Sequence, residues 1–192
     1  MNPKFMHQHF EVRKQILSLV GAKIDIFDRD GTPVLYSQMK AFKLKEDIRL
    51  YADDTMQEEL ITIQARSVID FSATYDVVDT ASGTKIGCLR RKGMKSILKD
   101  EWTILDANES EIALVKEDNA FFALLRRFLT NLIPQHYIVE MNGSTVAEFK
   151  QNFNPFVQKL NLDFFAGSGD GLDRRLGLAA AILLIAVEGN QG

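Results

Sequence analysis

A unit that recurs about every 26 residues constrains this chain more than any other feature. Runs rich in β-branched and aromatic residues break at an acidic or small-residue turn and then resume: IDIF-DRDG-TPVLY, IRLY-ADDTMQE-ELITI, YDVV-DTASG-TKIGCL, WTIL-DANES-EIALV and YIVE-MNGS-TVAEF. Asp, Asn, Ser and Gly at such breaks favour tight turns, so each unit reads as a hairpin. The returning strands end in basic or amide residues. Lys14 to Lys40, Lys40 to Arg66 and Arg66 to Lys92 are each 26 residues apart, Lys92 to Lys116 is 24, and Lys116 to Lys150 is 34. The longest interval holds Asn119 to Leu132, NAFFALLRRFLTNL, in which Phe121, Leu124, Leu125, Phe128 and Leu132 recur at helical spacing. An inserted surface helix over about 119–132 accounts for the excess.

Twelve strands follow from this register, near residues 9–15, 24–28, 33–39, 48–52, 59–66, 72–78, 84–90, 101–105, 110–116, 136–141, 145–150 and 160–166. Several alternate as half-buried strands do: Ile24 and Ile26 against Lys23 and Asp25, Phe71, Ala73, Tyr75 and Val77 against Ser72, Thr74 and Asp76, Trp102 and Ile104 against Thr103. Short connections make neighbours antiparallel, and the simplest topology is an up-and-down meander. An open sheet of that size would expose its edges, whereas closure into a barrel removes them.

The longest apolar run lies near the other end, Leu176 to Val187, 12 residues without a polar side chain. As a helix it is about 18 Å long, too short for a bilayer core that needs roughly 20 residues. A helix that is apolar all round is buried all round. Eight strands already fill a barrel with side chains, so twelve leave a central space for such a helix. Asp173 is placed to cap its start. The expected fold is therefore mainly β, a closed twelve-stranded antiparallel barrel of six hairpins. It encloses a hydrophobic C-terminal helix at about 173–188, as one domain over residues 1–192.

Charge and cysteine content narrow the function classes. With 23 Lys+Arg against 26 Asp+Glu the net charge is -3, which argues against a dedicated duplex-DNA binder. Cys88 is the single cysteine, so no internal disulfide framework exists and a reducing compartment suits the chain. The N-terminal MNPKFMHQHFEVRKQ lacks the apolar core of a secretory signal. These features point to a cytoplasmic protein with no transmembrane span, peripheral at the membrane where lipid is its ligand.

The strongest local charge feature is Lys85 to Lys99, KIGCLRRKGMKSILK, with six basic residues and no acid before Asp100. Held on a rigid barrel, Arg90, Arg91, Lys92, Lys95 and Lys99 would suit a phosphate-bearing headgroup through charge-assisted hydrogen bonds. The alternative is a solvated connection balanced by Asp100 and Glu101. Arg126 and Arg127 on the inserted helix point about 100° apart, and Phe121 with Phe122 would pack that helix onto the barrel. Ala166 to Gly171, AGSGDG, lacks the third glycine of a dinucleotide fingerprint and the Lys-Ser/Thr of a P-loop, and reads as a hinge into the last helix.

Asp28-Arg29-Asp30-Gly31 puts Ile26 and Ser37 where a calcium loop needs its first and twelfth ligands, so it reads as a hairpin turn. His7 and His9 read as an exposed N-terminal pair without a metal partner. Cys88 reads as a small apolar residue in mid-strand. No GxSxG, HExxH or paired catalytic signature occurs, so no catalytic residue, metal or cofactor is expected.

Four stretches then carry a family resemblance: KAFKLKEDIRLYAD, SATYDVVDTASGTKIGCLRRK, DEWTILDANESEIALVKED and LDRRLGLAAAILLIAVE. Through them the chain resembles the tubby C-terminal-like superfamily, closest to the LURP-one-related proteins, with phospholipid scramblases more distant. The resemblance runs from about Phe10 to Glu188. It implies the same twelve-stranded barrel threaded by a hydrophobic helix. It also implies a non-enzymatic domain binding phosphoinositide or another anionic phospholipid headgroup. Two other classes remain: a protein–protein interaction scaffold with no lipid ligand, and an enzyme with a site at the barrel mouth.

Overall fold

The computed structural model describes residues 1–17, 21–40, 47–66, 73–91, 101–118, 135–152, 157–165 and 171–188. Within them run a 3-10 turn (Pro3–Phe5) and strands β1 (His9–Leu17), β2 (Gly21–Phe27), β3 (Pro33–Lys40), β4 (Asp47–Tyr51), β5 (Glu59–Ala65) and β6 (Thr74–Asp79). Next come β7 (Thr84–Arg91), β8 (Glu101–Asp106), β9 (Glu111–Glu117), β10 (His136–Met141), β11 (Ser144–Asn152) and β12 (Gln158–Phe164). Helix α1 (Arg174–Leu183) then passes into a π-helical turn (Leu184–Glu188).

Every strand pairs with its sequence neighbour, and β1 pairs with β12, so the sheet is a closed antiparallel barrel of twelve strands. The seam runs from His9 opposite Asp163 to Lys14 opposite Gln158. It joins strands from the two ends of the chain, whereas the five turn motifs of the repeat join β2–β3, β4–β5, β6–β7, β8–β9 and β10–β11. These five turns share one end of the barrel because odd and even strands run in opposite directions. The 26-residue period is one such down-and-up pair, and its basic markers fall where odd strands finish. The expected helix at 119–132 lies outside the described residues, as do Ala166 to Asp170 of the expected hinge.

The turns use the chemistry their residues offer. At β2–β3, Asp28 Oδ1 accepts from the backbone N–H of Asp30 (3.0 Å) and of Thr32 (2.9 Å), while Gly31 takes φ +79°. The Asp28 carboxylate is thereby committed to a turn.

Alternation fills the core: Ile24, Ile26, Tyr75, Val77, Trp102 and Ile104 are all buried. Thr103, expected on the wet face, is buried as well. Its neighbour Leu105 pairs with Cys88 while Leu89 pairs with Ile104, so Cys88, Thr103 and Leu105 occupy the face opposite the core. Cys88 is thus a buried mid-strand residue, but on the outer side of the sheet, and burial pushes its thiol pKa up.

Asp173 caps α1, its Oδ1 accepting from the Arg175 N–H at 2.9 Å. Every residue from Leu176 to Ala186 is buried, and all but Gly177 belong to the same hydrophobic cluster as the inward strand residues. Gly177 lets the helix close on β12: a Cβ there would stand 2.5 Å from Phe164 Cε1. Arg175 bridges Asp173 (2.6 Å) and Asp79 (2.9 Å), tying the helix start to the end of β6. Among the described residues no helix is long and apolar enough to cross a membrane.

The N-terminal segment is built into the fold. Phe5 is buried, and Lys4 Nζ donates to Val34 O (3.0 Å) and Ala52 O (2.8 Å) across the turn ends of β3 and β4. The two histidines correct the expectation of an exposed pair. His9 lies in β1 with Nδ1 2.8 Å from Asp163 Oδ1. The His7 ring meets Phe10 edge-on, and its carbonyl accepts from Arg174 Nε at 2.9 Å.

Candidate functional site

Of the five basic residues marked by the sequence, Arg90 and Arg91 close strand β7, while Lys92, Lys95 and Lys99 lie outside the described residues. Neighbouring strand residues point to opposite faces, and that separates the two arginines. Arg91 pairs with Trp102 and Leu89 with Ile104, all on the inward side. Burial raises the hydroxyl pKa of the inward Tyr75, and the positive charge of Arg91 opposes that shift. Arg90 sits between Thr74 and Thr103 on the outer side. The run of bases seen in sequence is therefore split by the sheet, with Arg91 at the inner mouth and Arg90 facing out.

Lys116, Lys150 and Arg66, three of the other period-marking bases, are consumed by partners that sequence could not show. Lys116 Nζ lies 2.7 Å from Glu140 and Lys150 Nζ 2.5 Å from Glu148. Arg66 donates through Nε and Nη2 to Asp76 (2.9 and 2.7 Å) and through Nη2 to Glu109 (2.5 Å). Lys85 joins the same group, 3.0 Å from Glu109 and 3.1 Å from Asp76. Arg66 and then Lys85 hold the Glu109 carboxyl down at about 2. This outer-face network lies beside buried Cys88, whose thiol feels all four charges. No separate ligand is needed to balance it.

Lys14 is the least expected. It is 1% exposed, on the inward side with Val12 and Phe10, and its Nζ donates 3.0 Å to Ile185 O in the π-helical turn. A cation at a helix C-terminus offsets carbonyls left without intrahelical donors. Beside it, Gln158 Oε1 is buried without a hydrogen-bond partner, and so is Ser37 Oγ, two strands away. The sequence marked Lys14 as a strand-end base; only the register shows that it faces the helix.

Arg90 stands apart from this pattern. Among the cations whose side chains are described, Arg90 and the exposed Lys23 have no hydrogen-bond or ion-pair partner. A half-buried guanidinium on a paired strand, with its donors unspent, can take a carboxylate or phosphate in fork geometry. The described residues bring together no group of three metal-ligating side chains.

Residues 34–185 of the chain match the model of a family described as LURP-one-related. The fold is shared with a protein of Arabidopsis thaliana solved by X-ray crystallography, with a TM-score of 0.57 and 12% sequence identity. That alignment covers 97% of this chain and 96% of the other. No curated protein matches the chain significantly.

Proposed function

The chain belongs to the LURP-one-related family, and from that premise we propose a non-enzymatic binding domain whose ligand is the phosphate-bearing headgroup of an anionic phospholipid. The observation that supports it best is Arg90, a half-buried strand guanidinium with no hydrogen-bond or ion-pair partner among the described residues, while Arg66, Lys85, Lys116 and Lys150 are each held by carboxylates. Arg91 follows at the strand end, and Lys92, Lys95 and Lys99 continue the basic run in sequence. In this reading the barrel encloses the C-terminal helix as a rigid core, and the protein works in the cytoplasm, peripheral at the membrane.

Vesicle co-sedimentation tests this directly, with phosphatidylcholine alone against phosphatidylcholine containing a phosphoinositide, at low and moderate salt. Binding should require the anionic lipid and weaken with salt. At about 1 kcal/mol per charge near an anionic leaflet, Arg90→Glu should reduce partitioning roughly tenfold or more. Equal partitioning across lipid compositions, or no effect of Arg90→Glu, would overturn the lipid reading.

A further inference from the structure

The end of the barrel that carries the short turns has a different character. Among the described residues beyond Met1, its exposed large apolar side chains are Met6, Met56 and Phe165, at 62%, 42% and 43% exposure. All three belong to segments that meet at this end. Lys4, two residues before Met6, holds Ala52 O, at the start of the loop that carries Met56. Gln8, two residues after Met6, accepts from the Phe164 N–H (2.8 Å), and Phe165 follows directly.

Met56 breaks two rules at once. Its side chain stays in water, and its backbone sits at φ +56°, a region that side chains other than glycine, asparagine and aspartate rarely enter. Such a conformation costs about 1–2 kcal/mol, and the loop holds it with the Met56 N–H donating to Asp53 O at 3.2 Å. Unbranched methionines adapt to irregular apolar surfaces, which suits them to receiving a partner's side chains.

Among the described residues the charge around them is mainly acidic. Asp30, Asp53, Asp54 and Glu58 are exposed and form no ion pair among the described residues. The nearby cations are engaged: Lys4 with two carbonyls, Arg29 with Asp163 (3.8 Å) and Arg174 with His7 O. A surface of adaptable apolar side chains with unpaired carboxylates around it is complementary to a segment that is apolar on one face and basic on the other.

We propose that this end, through Met6, Met56 and Phe165 with Asp54 and Glu58 at its rim, docks a basic amphipathic helix from a protein partner. The site is independent of Arg90, which lies toward the opposite end of β7, so the two readings fail separately.

The test uses the full chain and an 18-residue fluorescent peptide of leucine and lysine patterned as an amphipathic helix, with a leucine–glutamate peptide of the same pattern as control. Anisotropy should report binding of the basic peptide only, weakened several-fold by moderate salt. Met6→Ser, Met56→Ser and Phe165→Ser combined should lower affinity at least tenfold, as should Asp54→Lys with Glu58→Lys, while Arg90→Glu should leave it unchanged. Thermal melts check that each variant is folded, and the charge-reversal pair decides if the apolar triple variant is not. Equal binding of both peptides, no binding of the basic one, or unchanged affinity in the folded variants would overturn the proposal. So would a triple variant that loses vesicle binding instead, since that would make the patch a lipid contact.

Discussion

Lys14 and Ile185 come from opposite ends of the chain, yet the Lys14 ammonium donates to the Ile185 carbonyl at 3.0 Å in a site closed to solvent. The bond joins the first strand to the last turn of the helix. Burial also holds the Lys14 pKa below its ordinary 10.5.

Two substitutions separate the volume of Lys14 from its charge. Lys14→Ala leaves a cavity and an unpaired carbonyl, and should cost about 2–4 kcal/mol in urea unfolding. Lys14→Met keeps most of the volume and removes a buried charge, so it should cost less than about 1.5 kcal/mol. The unfolded chain binds the Lys14 proton more readily than the folded one. The native protein should therefore gain stability over Lys14→Met as pH rises toward 10.5. A stability difference that stays flat between pH 7 and 10 would contradict the buried ammonium.

Gly177→Ala places a methyl against the Phe164 ring, 2.5 Å from Cε1 and 2.7 Å from Cζ. Alanine favours helix over glycine by about 1 kcal/mol, but overpacking in a close-fitted core costs about 1–3 kcal/mol. Net destabilisation is expected, with recovery when Phe164→Leu is added. A double-mutant cycle with no coupling would show that the helix and β12 do not meet there.

Ending the chain after Gly171 removes Leu176, Leu178, Ile182, Leu183, Leu184 and Ile185, all buried. At roughly 1.5–3 kcal/mol for each large apolar side chain, the loss rivals the roughly 5–15 kcal/mol that holds a whole domain. The shortened chain should show no cooperative melting transition in calorimetry. A sharp transition near the native temperature would mean the barrel stands without its helix.

The Glu109 carboxyl, lowered from 4.5 to about 2 by Arg66 and Lys85, links stability to acid pH. A depressed carboxylate contributes fully above its unfolded value and loses that contribution as pH falls through the folded one. The window is therefore about 4.5 down to 2. Glu109→Gln should lower stability at pH 7 and flatten the unfolding midpoint across that window. Added salt should shrink the difference between the two proteins.

The sequence by itself determined the number of strands, their order and the burial of the last helix. Turn clusters at a 26-residue period admit little but a meander, and an apolar run too short for a membrane has to be core. It also marked the turn at Asp28 and the cap at Asp173. It did not determine which face each base would take. A strand exposes alternate residues to opposite sides, so a shift of one residue turns a surface lysine into an interior one. Lys14 and Lys116 both mark strand ends at the repeat spacing, yet one faces the helix and the other Glu140. The same parity divides Arg90 from Arg91. Partners such as Arg66 and Glu109, 43 residues apart, meet only when the tilted strands of a closed barrel bring them together. Period and composition are local properties of the chain, but the neutralisation of a charge depends on what closure places beside it, and only the tertiary structure decided that.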